Sequence, residues 1–185
     1  MHLEKRTSYL KTVSSKPADE ATFNRILEDY QERIFFLVPR MVIDPDDATD
    51  ITQEVFIKVW QHRDSFKGDS SLYTWIYRIA TNECLQFIRK KKRRGLLRLE
   101  NYESTLAQKL QSDVYFNGDE SQRILHEAIL TLPEKQRVVF QLKYFDELKY
   151  EQIAEITDTS VGGLKASYHH AVKKIEEYAK EALNQ

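Results

Sequence analysis

Tyr150-Glu151-Gln152-Ile153-Ala154-Glu155-Ile156-Thr157-Asp158-Thr159-Ser160-Val161-Gly162-Gly163-Leu164-Lys165-Ala166-Ser167-Tyr168-His169-His170-Ala171 is the stretch whose reading decides the fold. Ile153, Ala154 and Ile156 form one short apolar helical face, and Val161 and Leu164 form another. Thr157-Asp158-Thr159 between them reads as a tight turn, and Ser160 stands where a capping hydroxyl would open the second helix. A short helix, a tight turn and a second helix have helix-turn-helix spacing, which leaves the second helix available for the major groove of DNA. The buried stripe of that helix is predicted to be Val161, Leu164, Tyr168, Ala171 and Ile175. The opposite face then holds Gly162, Gly163, Lys165, Ala166, His169, His170 and Lys173. Small residues near its start permit close approach to base edges. His169 and His170 are adjacent, point in different directions and make a poor metal pair. A hairpin of this kind also occurs as a purely structural element.

The same three-and-four spacing of apolar residues extends outward through the chain. Phe23, Ile26, Leu27, Tyr30, Ile34, Leu37, Val38 and Met41 make one run; Ile51, Val55, Phe56, Val59 and Trp60 make a second; Leu72, Trp75, Ile76, Ile79 and Ala80 make a third. Ile124, Ala128, Leu132, Val138 and Leu142 precede the hairpin. The fold class expected is all-α. Pro39 is expected to kink or end the first long helix, and Pro45 marks the turn into the next. The period fades after Arg94, Gly95 breaks it, and Asn117-Gly118-Asp119-Glu120 signals a turn or helix entry. Two small helical domains are expected, over residues 18–94 and 121–183, joined by a linker over 95–120 with a short helix around Thr105–Leu110.

With 185 residues the chain can bury a real core. Its 41% hydrophobic and 31% charged composition is that of a globular protein rather than a disordered one. One cysteine, Cys84, excludes an internal disulfide, and together with five scattered histidines it leaves no zinc framework. No cofactor is implied. A membrane-spanning helix needs about 20 apolar residues, and no such run exists, so no membrane insertion is expected. The first residues lack the apolar segment of a signal peptide, and a cytoplasmic location is the expectation. No phosphate loop or nucleophile–base–acid set suggests an enzyme.

The net charge of −1 hides a strong segregation. Residues 1–60 carry 8 basic and 11 acidic side chains, whereas residues 61–98 carry 10 basic and 3 acidic. A polyanion binder needs only a local positive field. Arg89-Lys90-Lys91-Lys92-Arg93-Arg94, with Arg98 behind it, closes a helix that also carries Tyr73, Trp75 and Tyr77. Cations at a helix C-terminus complement the macrodipole by themselves. Their company of aromatic rings favours single-stranded or melted nucleic acid, whose bases stack on π-faces. Phe66-Lys67-Gly68-Asp69-Ser70-Ser71, just before this helix, is either a capping loop or a polar cup able to hold an extruded base. Asp46, Asp47, Asp50, Gln53 and Glu54 gather on the first turns of another helix; acid there stabilises the helix and also presents an electronegative surface to a basic partner.

Two blocks then carry a family resemblance. Asp47-Ala48-Thr49-Asp50-Ile51-Thr52-Gln53-Glu54-Val55-Phe56-Ile57-Lys58-Val59-Trp60, Phe66-Lys67-Gly68 and Thr74-Trp75-Ile76-Tyr77-Arg78-Ile79-Ala80-Thr81-Asn82 resemble region 2 of the sigma-70 family. Leu132-Pro133-Glu134-Lys135-Gln136-Arg137 and Tyr150-Glu151-Gln152-Ile153-Ala154-Glu155-Ile156 resemble its region 4. With only these regions and a short linker, the chain is similar to an extracytoplasmic-function (ECF) sigma factor. The resemblance implies bacterial core RNA polymerase and promoter DNA as partners, and an anti-sigma factor as the inhibitor that the family often has. It implies core-polymerase contacts at Asp47, Asp50, Gln53 and Glu54. The −10 DNA is expected to meet Lys67, Asp69, Ser70, Ser71, Tyr77, Arg78, Asn82, Arg89, Lys90 and Lys91. The −35 DNA is expected to meet Ser160, Gly163, Lys165, Ala166, His169, His170 and Lys173. Where the family often has glycine in the turn, this chain has Asp158, which must accept a left-handed backbone. Ser167, His170 and Val172 stand where several arginines are common. The competing readings are an autonomous helix-turn-helix regulator, which needs neither the acidic helix nor the aromatic loop, and a helical interaction protein.

Overall fold

The computed structural model describes residues 20–42, 44–93 and 120–184. The described residues are helical with short connections, and contain no strand. They form α1 (Glu20–Met41), α2 (Pro45–His62), a 3-10 turn (Arg63–Ser65) and α3 (Leu72–Arg93). After these come α4 (Glu120–Thr131), α5 (Glu134–Phe140) with a π-helical turn (Gln141–Phe145), α6 (Tyr150–Thr157) and α7 (Val161–Leu183). Arg94, Arg98 and the linker, with the short helix expected in it, lie outside the described residues. Contacts divide the chain into two compact units: the division falls inside α3 after Cys84, and Glu155–Asp158 group with the first unit.

In the first unit the expected stripes are the buried ones. Ile26, Ile34, Leu37, Val38 and Met41 of α1 are sealed, as are Ala48, Ile51, Val55 and Val59 of α2 and Leu72, Ile76 and Ala80 of α3. Pro39 does not stop α1. The helix runs on to Met41, and Val42 N–H still donates to the Val38 carbonyl at 2.9 Å. A proline this close to the C-terminus costs one bond of the last turn rather than an interior ladder. Asp44 caps α2, its Oδ1 accepting from the Asp46 and Asp47 N–H groups at 3.0 and 3.4 Å, and Pro45 takes the first helical position, where no N–H is needed. Lys58 Nζ lies 2.6 Å from Glu83 Oε2, tying α2 to α3. Tyr30 of α1 meets Tyr73 of α3 with ring centroids 6.3 Å apart. Trp60, expected in the core, stays 36% exposed between the Phe23 ring and the Arg63 guanidinium, which lies 4.0 Å from its centroid. Cys84 is fully buried. Burial first, then the charge of Glu83, pushes its thiol up to about 12 against a smaller opposing backbone hydrogen bond.

The second unit packs α4 and α5 against α7 around Ala128, Ile129, Leu132, Phe140, Ala171 and Ile175. Leu142, Leu148, Ile153 and Leu164 of this unit are buried as well. Tyr178 of α7 donates to Glu127 of α4 at 3.3 Å, and Glu127 also takes Arg123 at 2.8 Å. Arg137 is buried, at 7% exposure, although the sequence places a cation there. Its Nη2 donates to the carbonyls of Leu130 and Leu132 at 2.7 and 3.2 Å, satisfying acceptors at the spent end of α4. Arg137→Ala removes this donor and leaves buried carbonyls unpaired, so the unfolding free energy is expected to fall by about 2–4 kcal/mol. Urea unfolding followed by circular dichroism measures this; a loss below about 0.5 kcal/mol would mean that water replaces the guanidinium at little cost.

Candidate nucleic-acid interface

α3 is built to present one polar face. Ser71 caps it: the Thr74 N–H donates to Ser71 Oγ at 3.0 Å, and the two hydroxyls lie 2.8 Å apart. Gly68, three residues earlier, has φ 78°, a left-handed turn that glycine adopts without strain. Ser71, Arg78, Asn82, Arg89 and Arg93 recur at intervals of seven and four, and all five are exposed, so they form one stripe along the helix. Trp75 borders the stripe, half-buried against Phe66 at 5.3 Å between centroids. Lys67 and Asp69 are exposed in the loop ahead of Ser71, and Ser70 is half-buried. Lys90 is exposed beside the stripe. Lys91 is half-buried and turned over the Phe87 ring, with Nζ 5.3 Å from its centroid.

Tyr77 departs from expectation. It has no exposed surface, and its ring stacks on Tyr73 with centroids 4.1 Å apart. Residues 73 and 77 are one helical turn apart and share the core-facing side, so burial removes the Tyr77 face from any incoming base. The accessible aromatics near the stripe are Trp75 and Phe66.

The acidic set lies along α2. Asp50, Gln53 and Glu54 are exposed and Asp47 is half-buried. Glu54 also lies 3.9 Å from Lys58. Ile57 (48% exposed) and Trp60 continue the stripe begun by Asp50 and Gln53, so its acidic end leads into an apolar end. The sequence reading missed this apolar continuation, because Trp60 was assigned to the core.

The hairpin follows its sequence closely. Asp158 has φ 51° and makes the left-handed turn. Ser160 Oγ accepts from the Gly163 N–H at 3.2 Å, capping α7. Leu164, Ala171 and Ile175 are buried, and Val161 and Tyr168 are half-buried. Ser160, Gly162, Gly163, Lys165, Ala166, His169, His170 and Lys173 are all exposed. Lys173 pairs loosely with Glu177 at 3.8 Å. Beside the hairpin an aromatic group, which the sequence reading did not single out, joins α5 to α7. Phe140 stacks on Tyr144 at 5.0 Å and on Tyr168 at 5.8 Å, and Tyr168 meets Tyr150 edge-on at 6.4 Å. Burial first, then the neighbouring Tyr150 and Tyr144, raises the Tyr168 phenol above its ordinary value.

These surfaces define an all-helical protein that carries a basic, aromatic-bordered helix face and a helix-turn-helix in one chain. Residues 26–94 match the family model for Sigma-70 region 2, and residues 122–175 match that for Sigma-70, region 4. Over 181 residues the chain is 34% identical to the ECF RNA polymerase sigma-E factor of Escherichia coli (strain K12), covering 94% of each. It is 35% identical over 162 residues to the ECF RNA polymerase sigma factor SigW of Bacillus subtilis (strain 168), covering 83% of this chain and 87% of that one. The fold is shared with the sigma factor RpoE in its complex with the anti-sigma factor NepR from Bartonella quintana, at TM-score 0.67 and 21% identity over 85% of this chain and 96% of that one. It is shared too with CnrH in complex with the cytosolic domain of CnrY, at TM-score 0.68 and 17% identity over 94% and 96%. The chain belongs to the sigma-70 family, among the sigma factors of ECF type. Among the described residues no helix is long and apolar enough to cross a membrane, and no group of three or more His, Cys, Asp or Glu is disposed to hold a metal ion.

The two exposed glycines of the hairpin separate stability from docking. A Cβ on Gly162 meets nothing within 4 Å, whereas one on Gly163 comes within 3.2 Å of Ser160 Oγ, the capping atom. Gly162→Ala is therefore expected to stabilise the free protein by up to about 1 kcal/mol through helix propensity, and Gly163→Ala to give none of that gain. Thermal unfolding of the two variants side by side checks it; equal shifts would mean that the cap is not crowded.

Proposed function

We propose that this protein is a dissociable promoter-specificity subunit of bacterial RNA polymerase, an ECF sigma factor that directs the core enzyme to particular promoters and initiates DNA-templated transcription. The observation that carries this reading is the match to region 2 and region 4, in that order, in one chain. The region 2 match counts against an autonomous helix-turn-helix regulator, which would have no use for an acidic docking helix. Residues 18–94 would serve as the unit that binds core enzyme and opens the −10 element, residues 95–120 as the linker, and residues 121–183 as the −35 reader. The chain supplies no catalytic group; the polymerase does the chemistry, in the cytoplasm. An anti-sigma factor is the inhibitory partner that the solved complex of RpoE with NepR suggests.

The residue roles follow from charge and exposure. Asp47, Asp50, Gln53 and Glu54 offer the electronegative face to a basic surface of the core enzyme. Lys67, Asp69, Ser70, Ser71, Arg78, Asn82, Arg89 and Lys90 line the approach for melted −10 DNA, with Lys91 held nearer its own helix by Phe87. Tyr77 takes no part. Stacking on an aromatic returns about 1–3 kcal/mol per base, and Trp75 and Phe66 are the rings within reach of that loop. Backbone phosphates held by Arg89 and Lys90 contribute affinity without sequence information. Ser160, Gly163, Lys165, Ala166, His169, His170 and Lys173 face the −35 element, with Lys165 the donor for a guanine edge.

The direct test is to add the purified protein to core polymerase and look for promoter-specific initiation. Run-off transcription no different from that of core alone sinks the proposal. Two further outcomes locate the surfaces. The folded double variant Asp50→Lys, Glu54→Lys sets like charges across the docking contact and is expected to lose core enzyme in a pull-down; retained binding would move the contact elsewhere. Neutralising Arg89 and Lys90 to glutamine is expected to weaken open complexes on all promoters alike and to flatten their salt dependence. Each lost phosphate contact lowers the log–log slope by about 0.7–0.9. A slope equal to that of wild type would make these cations a solvated helix end.

A further inference from the structure

Lys165 does not extend freely from α7. Its ammonium lies over the ring of Tyr150, with Nζ 5.7 Å from the ring centroid. Tyr150 is the first residue of α6, so the contact spans the turn of the hairpin. A second cation shares the ring. Lys143, from the π-helical turn, puts its Nζ 5.1 Å from the same centroid, and its ammonium donates to the Leu148 carbonyl at 3.0 Å. Tyr150 is braced in turn by Tyr168, edge-on at 6.4 Å, and Tyr168 stacks at 5.8 Å on the buried Phe140. A continuous series of ring contacts thus runs from the core to the ammonium of the residue best placed to donate to a base.

A lysine stem has many rotamers, and a free one must be ordered before it can donate to a single base edge. Holding the ammonium against a ring in the unbound protein lowers the ordering required on binding. Lys143 adds to the restriction, since a like charge fixed at the same ring repels Lys165 from the part that it occupies.

We infer that Tyr150 is a positioning residue for Lys165: its ring fixes where the lysine ammonium waits, and so sets how sharply one −35 position is discriminated. The inference rests on the proposed reading that Lys165 meets the −35 element. It gives Tyr150 a part in specificity without requiring it to touch a base.

The test uses full-length variants with core polymerase on a promoter library randomised at the −35 element. Lys165→Ala is expected to flatten preference at one position. Tyr150→Leu, which removes the aromatic face, is expected to shift the profile toward that of Lys165→Ala, lowering preference at the same position by about two- to fivefold. Tyr150→Phe, which keeps the ring, is expected to retain the wild-type profile. A uniform loss across all sequences with Tyr150→Leu, or no change, overturns the inference, because a merely structural tyrosine would act in one of those ways. If Lys165→Ala itself leaves the profile unchanged, the reading of Lys165 fails and the inference goes with it; a changed Lys165→Ala profile beside an unchanged Tyr150→Leu profile overturns the inference alone. An NMR measurement on the unbound wild-type protein guards against a Tyr150→Leu variant that does not fold. The Lys165 ε-methylene protons are expected upfield of ordinary lysine from the ring current, and to remain so in Tyr150→Phe. Ordinary shifts in the wild type overturn the inference by themselves.

Discussion

A helix of eight residues is not stable alone in water, because it has too few hydrogen bonds to offset its nucleation cost. α6 therefore depends on tertiary burial, and its Ile153 and Ile156 are both sealed from solvent. Only Asp158, Thr159 and Ser160 separate the two helices, and Asp158 turns the chain in a left-handed conformation that costs a non-glycine residue about 1–2 kcal/mol. Ser160 then begins the next helix at once by satisfying the Gly163 N–H. A local strain and a cap together set where the exposed face of α7 begins.

The parts legible in the sequence were those set by local rules. The buried stripes of α1, α3 and α7 could be read from period alone, since a helix face depends only on spacing. Ser160 and Asp158 were legible because capping and left-handed turns involve neighbours a few residues away. What could not be read was decided by partners distant in sequence. Arg137 looks like one more surface cation until the spent carbonyls at the end of α4 come up beside it. Tyr77 looked available because three aromatics in five residues cannot share a face. Which of them faces inward depends on where α1 lies, and Tyr73 and Tyr77 took the inner side together. Trp60 was misplaced for the converse reason, its ring covered on one side by Phe23 and on another by Arg63 while part of it stays open. The π-helical turn after α5 had no signal in the sequence at all, since nothing in Gln141-Leu142-Lys143-Tyr144-Phe145 breaks a helical pattern.

Charge segregation and aromatic placement divide the labour between the surfaces. Acid on α2 and base on α3 lie on consecutive helices, so opposite signs are presented within a short length of chain. The exposed polar stripe of α3 is assembled by the same periodicity that buries Ile76 and Ala80 on its other side. The polar stripe therefore sits on a helix whose inward face is already committed to the core.

The sealing of Cys84 has a consequence for control. It is the only sulfur of its kind in the chain, it has no exposed surface, and its thiol, pushed up to about 12, holds almost no thiolate at neutral pH. A thiol-directed reagent in the surrounding medium finds no accessible thiolate at this position while the protein is folded. Reaction at Cys84 has to wait until the helices around it open, so its modification would time the loosening of that part of the fold.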